Sequence, residues 1–162
     1  YKREAPRWST FNGWDLFRQE AKNRNLSLAE FGELCKSNLD VDRELDNLLQ
    51  NEMLREDNNA PAIIESRLAG WWAHRLGLDI PRVWLEVNEM ERAKRVKARE
   101  GGSIEQIIEE SNQRAKVDAQ RFLELYDLLP EQNEPYSHII DASSLNPQEV
   151  LARVLEIVEG EK

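Results

Sequence analysis

Two arginines stand where an extended run hands over to a helical one: Arg18 in Gly13-Trp14-Asp15-Leu16-Phe17-Arg18, and Arg67 in Glu65-Ser66-Arg67-Leu68-Ala69-Gly70. In open α/β sheets ligands collect beyond the C-terminal ends of the strands. A guanidinium placed there offers planar, paired donors that match phosphate oxygens, so these two are suited to hold one anion between them. Simple pairing with surface acids is the competing reading, because such pairs are common and weak. A third strand end carries Val87-Asn88-Glu89.

Positive charge is gathered again further on. Arg92, Lys94, Arg95, Lys97 and Arg99 fall in one short segment, and Arg92, Arg95 and Arg99, at steps of three and four, share a helix face. Arg114, Lys116 and Arg121 form a second cationic set on the next long helix, with Arg114 and Arg121 two turns apart on one face. Two helices joined by Gly101-Gly102 could fold arginines over a phosphate and withdraw them, which is the physics of a mobile lid. The plainer alternative is a solvated hairpin laced with Glu91, Glu100, Glu109, Glu110 and Asp118.

Other chemistry is poorly supported. His74 and His138 lie far apart with no Ser or Cys arrangement that would make a triad. Cys35 sits on the apolar side of its helix beside Phe31 and Leu34, which favours packing over a reactive thiol. Trp71-Trp72 could stack on a ligand, but adjacent helical residues point to different faces and one is expected in the core. The pattern Gly-x-x-x-x-Gly-Lys-Ser/Thr does not occur.

The elements that must position these residues alternate. Short apolar or β-rich runs at 8–11, 61–65, 82–87 and 138–141 read as strands; those at 62–64, 82–87 and 138–141 are expected to be covered on both faces, as in a parallel sheet. Helical spacing covers 14–24, about 28–36, 40 to about 53, 68–76, 89–100, 103 to about 126, and 147–159. Ser27 followed by Glu30 is a capping box, and Asn146-Pro147 marks the last helix start. The order predicts an α/β fold, a parallel sheet flanked by helices with right-handed crossovers. Residues 1–88 read as a core with ligand-binding helices, 89–126 as a helical lid and hinge, and 127–162 as a closing strand and helix.

Composition bounds the rest. The 162 residues fit one domain, and the 40% of hydrophobic residues suffice for a packed core. Lys plus Arg number 22 against 31 Asp plus Glu, a net charge of −9, which disfavours nucleic acid or an anionic membrane as the main partner. One cysteine forbids an internal disulfide, and with two histidines it makes a zinc site improbable, pointing to a reducing cytoplasm. Neither a membrane-spanning run nor a signal-peptide pattern is found.

Taken in order, Asn12-Gly13-Trp14-Asp15-Leu16-Phe17-Arg18, Ser27-Leu28-Ala29-Glu30-Phe31-Gly32, Val41-Asp42-Arg43-Glu44-Leu45-Asp46, Glu65-Ser66-Arg67-Leu68-Ala69-Gly70-Trp71 and Val83-Trp84-Leu85 resemble the archaeal-type cytidylate kinases, a branch of the P-loop nucleoside monophosphate kinases. The likeness continues through Glu91-Arg92-Ala93-Lys94-Arg95, Arg99-Glu100-Gly101, Ser103-Ile104-Glu105, Arg121-Phe122, Tyr126 and Ile140-Asp141-Ala142-Ser143. It implies a three-layer sandwich with a helical lid, and transfer of the terminal phosphoryl of ATP, with Mg²⁺, to CMP or dCMP. Small-molecule nucleotides would be the partners. By position, Arg18 and Arg67 would hold the acceptor's phosphate, with Asp42 and Arg43 near its base or sugar. Arg95, Arg99, Arg114 and Arg121 would be lid or lid-hinge arginines that neutralise charge on the transferring group. Phosphoryl transfer asks a protein mainly for positioning and positive charge, which agrees with those roles.

Two departures from the family pattern follow. Trp14 stands where the family usually has a small glycine, which would crowd the acceptor site. The phosphate loop and first strand, which the family places ahead of this point in the chain, are absent, and Tyr1-Lys2-Arg3-Glu4-Ala5 reads like the end of a helix. The expectation is that about 25 to 30 residues, a strand, a loop and a helix, precede Tyr1, since a sheet without its central strand would leave two open edges. A noncatalytic kinase-like module that acts by binding a partner is the alternative.

Overall fold

Apolar runs of only three or four residues set the strands, and polar caps set the helices between them. In the computed structural model, which describes residues 8–160, the order is β1 (Thr10–Asn12), α1 (Gly13–Asn23), α2 (Leu28–Ser37), α3 (Leu39–Met53), β2 (Ile63–Glu65), α4 (Ala69–Arg75), β3 (Val83–Glu86), α5 (Glu89–Glu100), α6 (Ile104–Tyr126), β4 (His138–Asp141) and α7 (Pro147–Gly160). This is the alternation expected of an α/β fold. The helix end expected at residues 1–5 lies outside the described residues.

Side-chain caps explain most helix starts, because each satisfies an amide left without an intrahelical acceptor. Asn12, Asn38, Asn88 and Ser103 accept from the amides of Trp14, Asp40, Glu91 and Gln106. The capping box at Ser27 is complete: its hydroxyl accepts from the Glu30 amide at 3.2 Å while the Glu30 carboxylate accepts from the Ser27 amide at 2.8 Å. The Ser27 hydroxyl and amide together hold the Glu30 carboxyl below its ordinary range. Asn146 and Glu149 form the same reciprocal pair at α7, at 2.8 and 2.9 Å.

Residues up to Ala73 form one compact unit and those from His74 on a second. In the first, β1 pairs in parallel with β2, Thr10 opposite Ile63 and Asn12 opposite Glu65. Its core is built by α1, α2 and α3: Ala21, Phe31, Cys35 and Val41 are buried, with Phe17, Leu26, Leu34 and Leu45 packed around them. Burying a side chain the size of Phe31 contributes about 1.5–3 kcal/mol. Cys35 is therefore a packing residue, as its apolar neighbours suggest. Trp71 and Trp72 are both buried, where the sequence led us to expect one.

In the second unit, β3 pairs in parallel with β4, Val83 opposite His138 and Glu86 opposite Asp141. Arg82 locks the entry to this ladder, donating from Nε to the Pro135 carbonyl at 2.6 Å and from Nη1 to the Leu78 and Ile80 carbonyls at 3.0 and 3.2 Å. Helices α5 and α6 lie against each other, with Ala93 and Ile107 buried.

The strands differ from expectation in their cover. Ile63, Leu85 and Ile139 are 41%, 47% and 41% exposed, where burial on both faces was expected. The reason is the width of the sheets: among the described residues each strand has one neighbour, so each ladder keeps open edges and flanks that a wider sheet would close.

Candidate functional site

The ends of β1 and β2 are tied side to side. The Asn12 amide group donates to the Glu65 carboxylate at 3.2 Å, and a side chain added at Gly13 would lie 3.2 Å from Ser66 Cβ. Glycine thus lets the start of α1 approach the Ser66-Arg67 turn closely. Arg67 is exposed in that turn, two residues beyond the last paired residue of β2. Arg18 is exposed on the next turn of α1, its Nη2 3.1 Å from Asp15 Oδ1. Both expected arginines therefore stand just past the C-terminal ends of two paired strands. Arg18 does pair with a surface acid, as the plainer reading held; the pair is exposed on both sides and adds little to stability.

Asp42 and Arg43 lie in the first turns of α3. Arg43 is exposed and pairs with Asp40 at 2.7 Å, while Asp42 is half-buried on the neighbouring face.

The second cationic group is a helical hairpin in the other unit. Its turn is Gly101-Gly102, with φ of +79° and +92°, values that L side chains rarely adopt. The Asn112 side chain donates to Glu89 Oε1 at 2.9 Å and pins α6 to the foot of α5. Arg99 is exposed near the turn and, among the described residues, pairs with the neighbouring Glu100 alone, at 3.1 Å. Arg92, Lys94, Lys97 and Arg114 are exposed and have no ion pair among the described residues. Arg121 is half-buried, 3.2 Å from Asp118 and with its guanidinium carbon 5.3 Å from the Phe122 ring centroid.

Arg95 is used differently from the arginines near the turn. Its Nη2 donates to the carbonyls of Ala142 at 2.8 Å, Leu145 at 3.2 Å and Ser143 at 3.4 Å, and its Nε to Glu91 at 3.0 Å. One fork thus fastens the middle of α5 to the loop beyond the C-terminal end of β4. Ser143 completes the junction by accepting from the Asn88 amide at 2.9 Å. The Ser143 hydroxyl and amide hold the Asp141 carboxyl below its ordinary range.

One structural feature went unread in the sequence. Trp14 lies flat against Phe17, centroids 5.2 Å apart and planes 6° from parallel, and Phe17 leans on the fully buried Phe31 at 4.7 Å. The spacing of Trp14, Phe17 and Arg18 at three and four along a helix was the available signal. His74 and His138, expected to be structural or surface residues, are near Glu134 and Ser137 respectively.

Among the described residues no three imidazole, thiol or carboxylate groups gather as a metal cluster, and no helix is long and apolar enough to cross a membrane. The arrangement offers exposed guanidinium groups at strand ends and on a glycine-jointed hairpin, which suits recognition and charge neutralisation of phosphates.

No family model matches the chain. It is 36% identical over 144 residues to the cytidylate kinase of Thermococcus kodakarensis, a match covering 89% of this chain and 71% of that protein. With the cytidylate kinase of Pyrococcus abyssi the identity is 35% over 144 residues, covering 89% and 76%. With that of Haloarcula marismortui it is 30% over 157 residues, covering 97% and 79%.

Proposed function

The chain belongs to the cytidylate kinases, and from that premise we propose that it transfers the terminal phosphoryl of ATP to CMP or dCMP. The family membership makes it a nucleoside monophosphate kinase; the choice of donor and acceptor is our reading. What carries it is the name shared by relatives matched over about nine-tenths of the chain.

The arginines support a division of labour. Arg18 and Arg67, past the ends of β1 and β2, bind the acceptor's phosphate; Asp42 and Arg43 on α3 face its base or sugar. Arg99 and Arg114, exposed on α5 and α6, neutralise the charge that spreads over the transferring group. Arg95, already engaged with carbonyls of the loop after β4, and Arg121, paired with Asp118 within α6, act at the hinge. No covalent nucleophile is needed, because the acceptor's own phosphate oxygen attacks and the protein supplies alignment and positive charge. Closure of the 89–126 hairpin over the nucleotides also keeps water from taking the phosphoryl group.

Magnesium supplies charge neutralisation between donor phosphates when bound. The described residues form no acidic cluster to hold it, so in this proposal it enters on the nucleotide's own oxygens. The kinase relatives support small nucleotides as partners, and a net charge of −9 disfavours polyanions. The buried, lone Cys35 supports a cytoplasmic setting.

A coupled ADP-release assay on the full-length protein, run across CMP, dCMP, UMP and AMP, tests the reading. Turnover is expected to be fastest with CMP and dCMP. Transfer to none of the four, or a preference for AMP, would refute it.

A further inference from the structure

An indole that stays in water forgoes the gain from burying its ring, so a half-exposed tryptophan held in one orientation invites an explanation. Trp14 is 53% exposed. Its backbone and one face of its ring are fixed: its backbone amide donates to Asn12 Oδ1 at 2.7 Å, its ring is stacked on Phe17, and Phe17 is braced by buried Phe31. The support runs from the core of the first unit to its surface. Trp14, Arg18 and Lys22 follow at steps of four and share one stripe of α1. The Arg18 guanidinium carbon is 5.7 Å from the Trp14 ring centroid, and Arg18 and Lys22 border an open hollow. The ring is thus followed by two cations one and two turns on, the first of them paired with Asp15 at 3.1 Å. This is the combination that recognises a planar ring carrying a phosphate.

We infer that Trp14 is an affinity-determining residue of the acceptor site, an aromatic surface on which the acceptor's base packs while Arg18, one turn or about 5.4 Å along the helix, meets its phosphate. This rests on the acceptor reading given above. Stacking senses the face of a ring and not its hydrogen-bonding edge, so Trp14 contributes to affinity for the acceptor whatever its base. The choice among bases falls to polar groups elsewhere.

The test is CMP binding, followed by calorimetry and by tryptophan fluorescence on the full-length protein, in Trp14→Phe and Trp14→Ala. Trp14→Phe should keep CMP affinity within about threefold while losing most of the fluorescence change, because a ring remains but the reporter is gone. Trp14→Ala should weaken CMP, dCMP and UMP alike by roughly tenfold, with competition by inorganic phosphate unchanged. CMP binding by Trp14→Ala at wild-type strength would overturn the inference, as would an equal loss of phosphate binding, which would mark a structural role. The two readings fail separately. If CMP quenches Trp14 in a protein that transfers phosphoryl to no nucleotide, the stack stands and the kinase reading falls; if CMP is phosphorylated with unchanged KM in Trp14→Ala, the reverse holds.

Discussion

Removing the Arg95 fork should separate a hinge role from a role at the reacting phosphate. In Arg95→Ala the carbonyls of Ala142 and Leu145 lose a donor at 2.8 and 3.2 Å, and Glu91 loses its ion pair. A hydrogen bond from a charged donor is worth about 1.5–3 kcal/mol. The Arg95 side chain is 39% exposed, so water can replace part of what is lost. The low end applies to the carbonyls together, and the exposed pair with Glu91 adds about 0.3–0.5 kcal/mol. The sum is about 2 kcal/mol, or about 4–8 °C in melting temperature for a chain of this size. Arg99 has, among the described residues, only its pair with the adjacent Glu100 to lose, so Arg99→Ala should leave the melt unchanged while cutting turnover on the order of a hundredfold. Thermal melts and ADP-release rates on both variants, with Arg95→Lys as a charge-preserving control that cannot form the fork, make the comparison. An unchanged melt in Arg95→Ala would refute the fastening of α5 to the loop after β4. Unchanged turnover in Arg99→Ala would refute the lid.

Arg67→Ala should weaken CMP by about 1.5–3 kcal/mol if a charge-assisted bond to phosphate is lost, as read by calorimetry; Arg18→Ala should behave alike. Ser27→Ala removes a complete capping box and should cost about 1 kcal/mol, visible as a lower unfolding midpoint in denaturant with an unaltered slope. Asp141 titrates below its ordinary range, so its bonds to Ser143 stabilise the fold at neutral pH and are lost only as acid protonates it, below about pH 4. Asp141→Asn should therefore flatten the acid limb of a plot of melting temperature against pH, and an unchanged limb would show that these bonds carry no stability.

Local chemistry was legible in the residues and long-range pairing was not. Ser27 with Glu30, and Asn146 with Pro147, mark helix starts that the structure repeats, because a cap needs only its own neighbours. The first strand moved from 8–11 to Thr10–Asn12, since pairing with Ile63–Glu65, not local propensity, fixes its span. Exposure of Ile63, Leu85 and Ile139 depends on how many strands stand side by side, which no short window reports. Arg18 and Arg67 were singled out from their places after strands, and both are exposed there. The partners of Arg95 lie some fifty residues away, so its fork to the carbonyls was invisible to helical spacing. Trp14 was read only as an obstacle, because the bracing by Phe31 is tertiary.

The hairpin of α5 and α6 is fastened at both feet. Arg75 donates to the Tyr126 carbonyl at 3.0 Å at the end of α6, and Asn88 and Arg95 tie the start and middle of α5 to the loop after β4. Its far end is the Gly101-Gly102 turn. From the Arg95 fork to Arg99 is one helical turn, about 6 Å at 1.5 Å per residue, and α6 is held to α5 where Asn112 donates to Glu89. The fork therefore has the geometry of a latch: while it is closed, Arg99 stands within one turn of a fixed point. Any stroke of the turn wide enough to carry Arg99 across a nucleotide would first have to open that fork, which would couple the hairpin to the loop after β4.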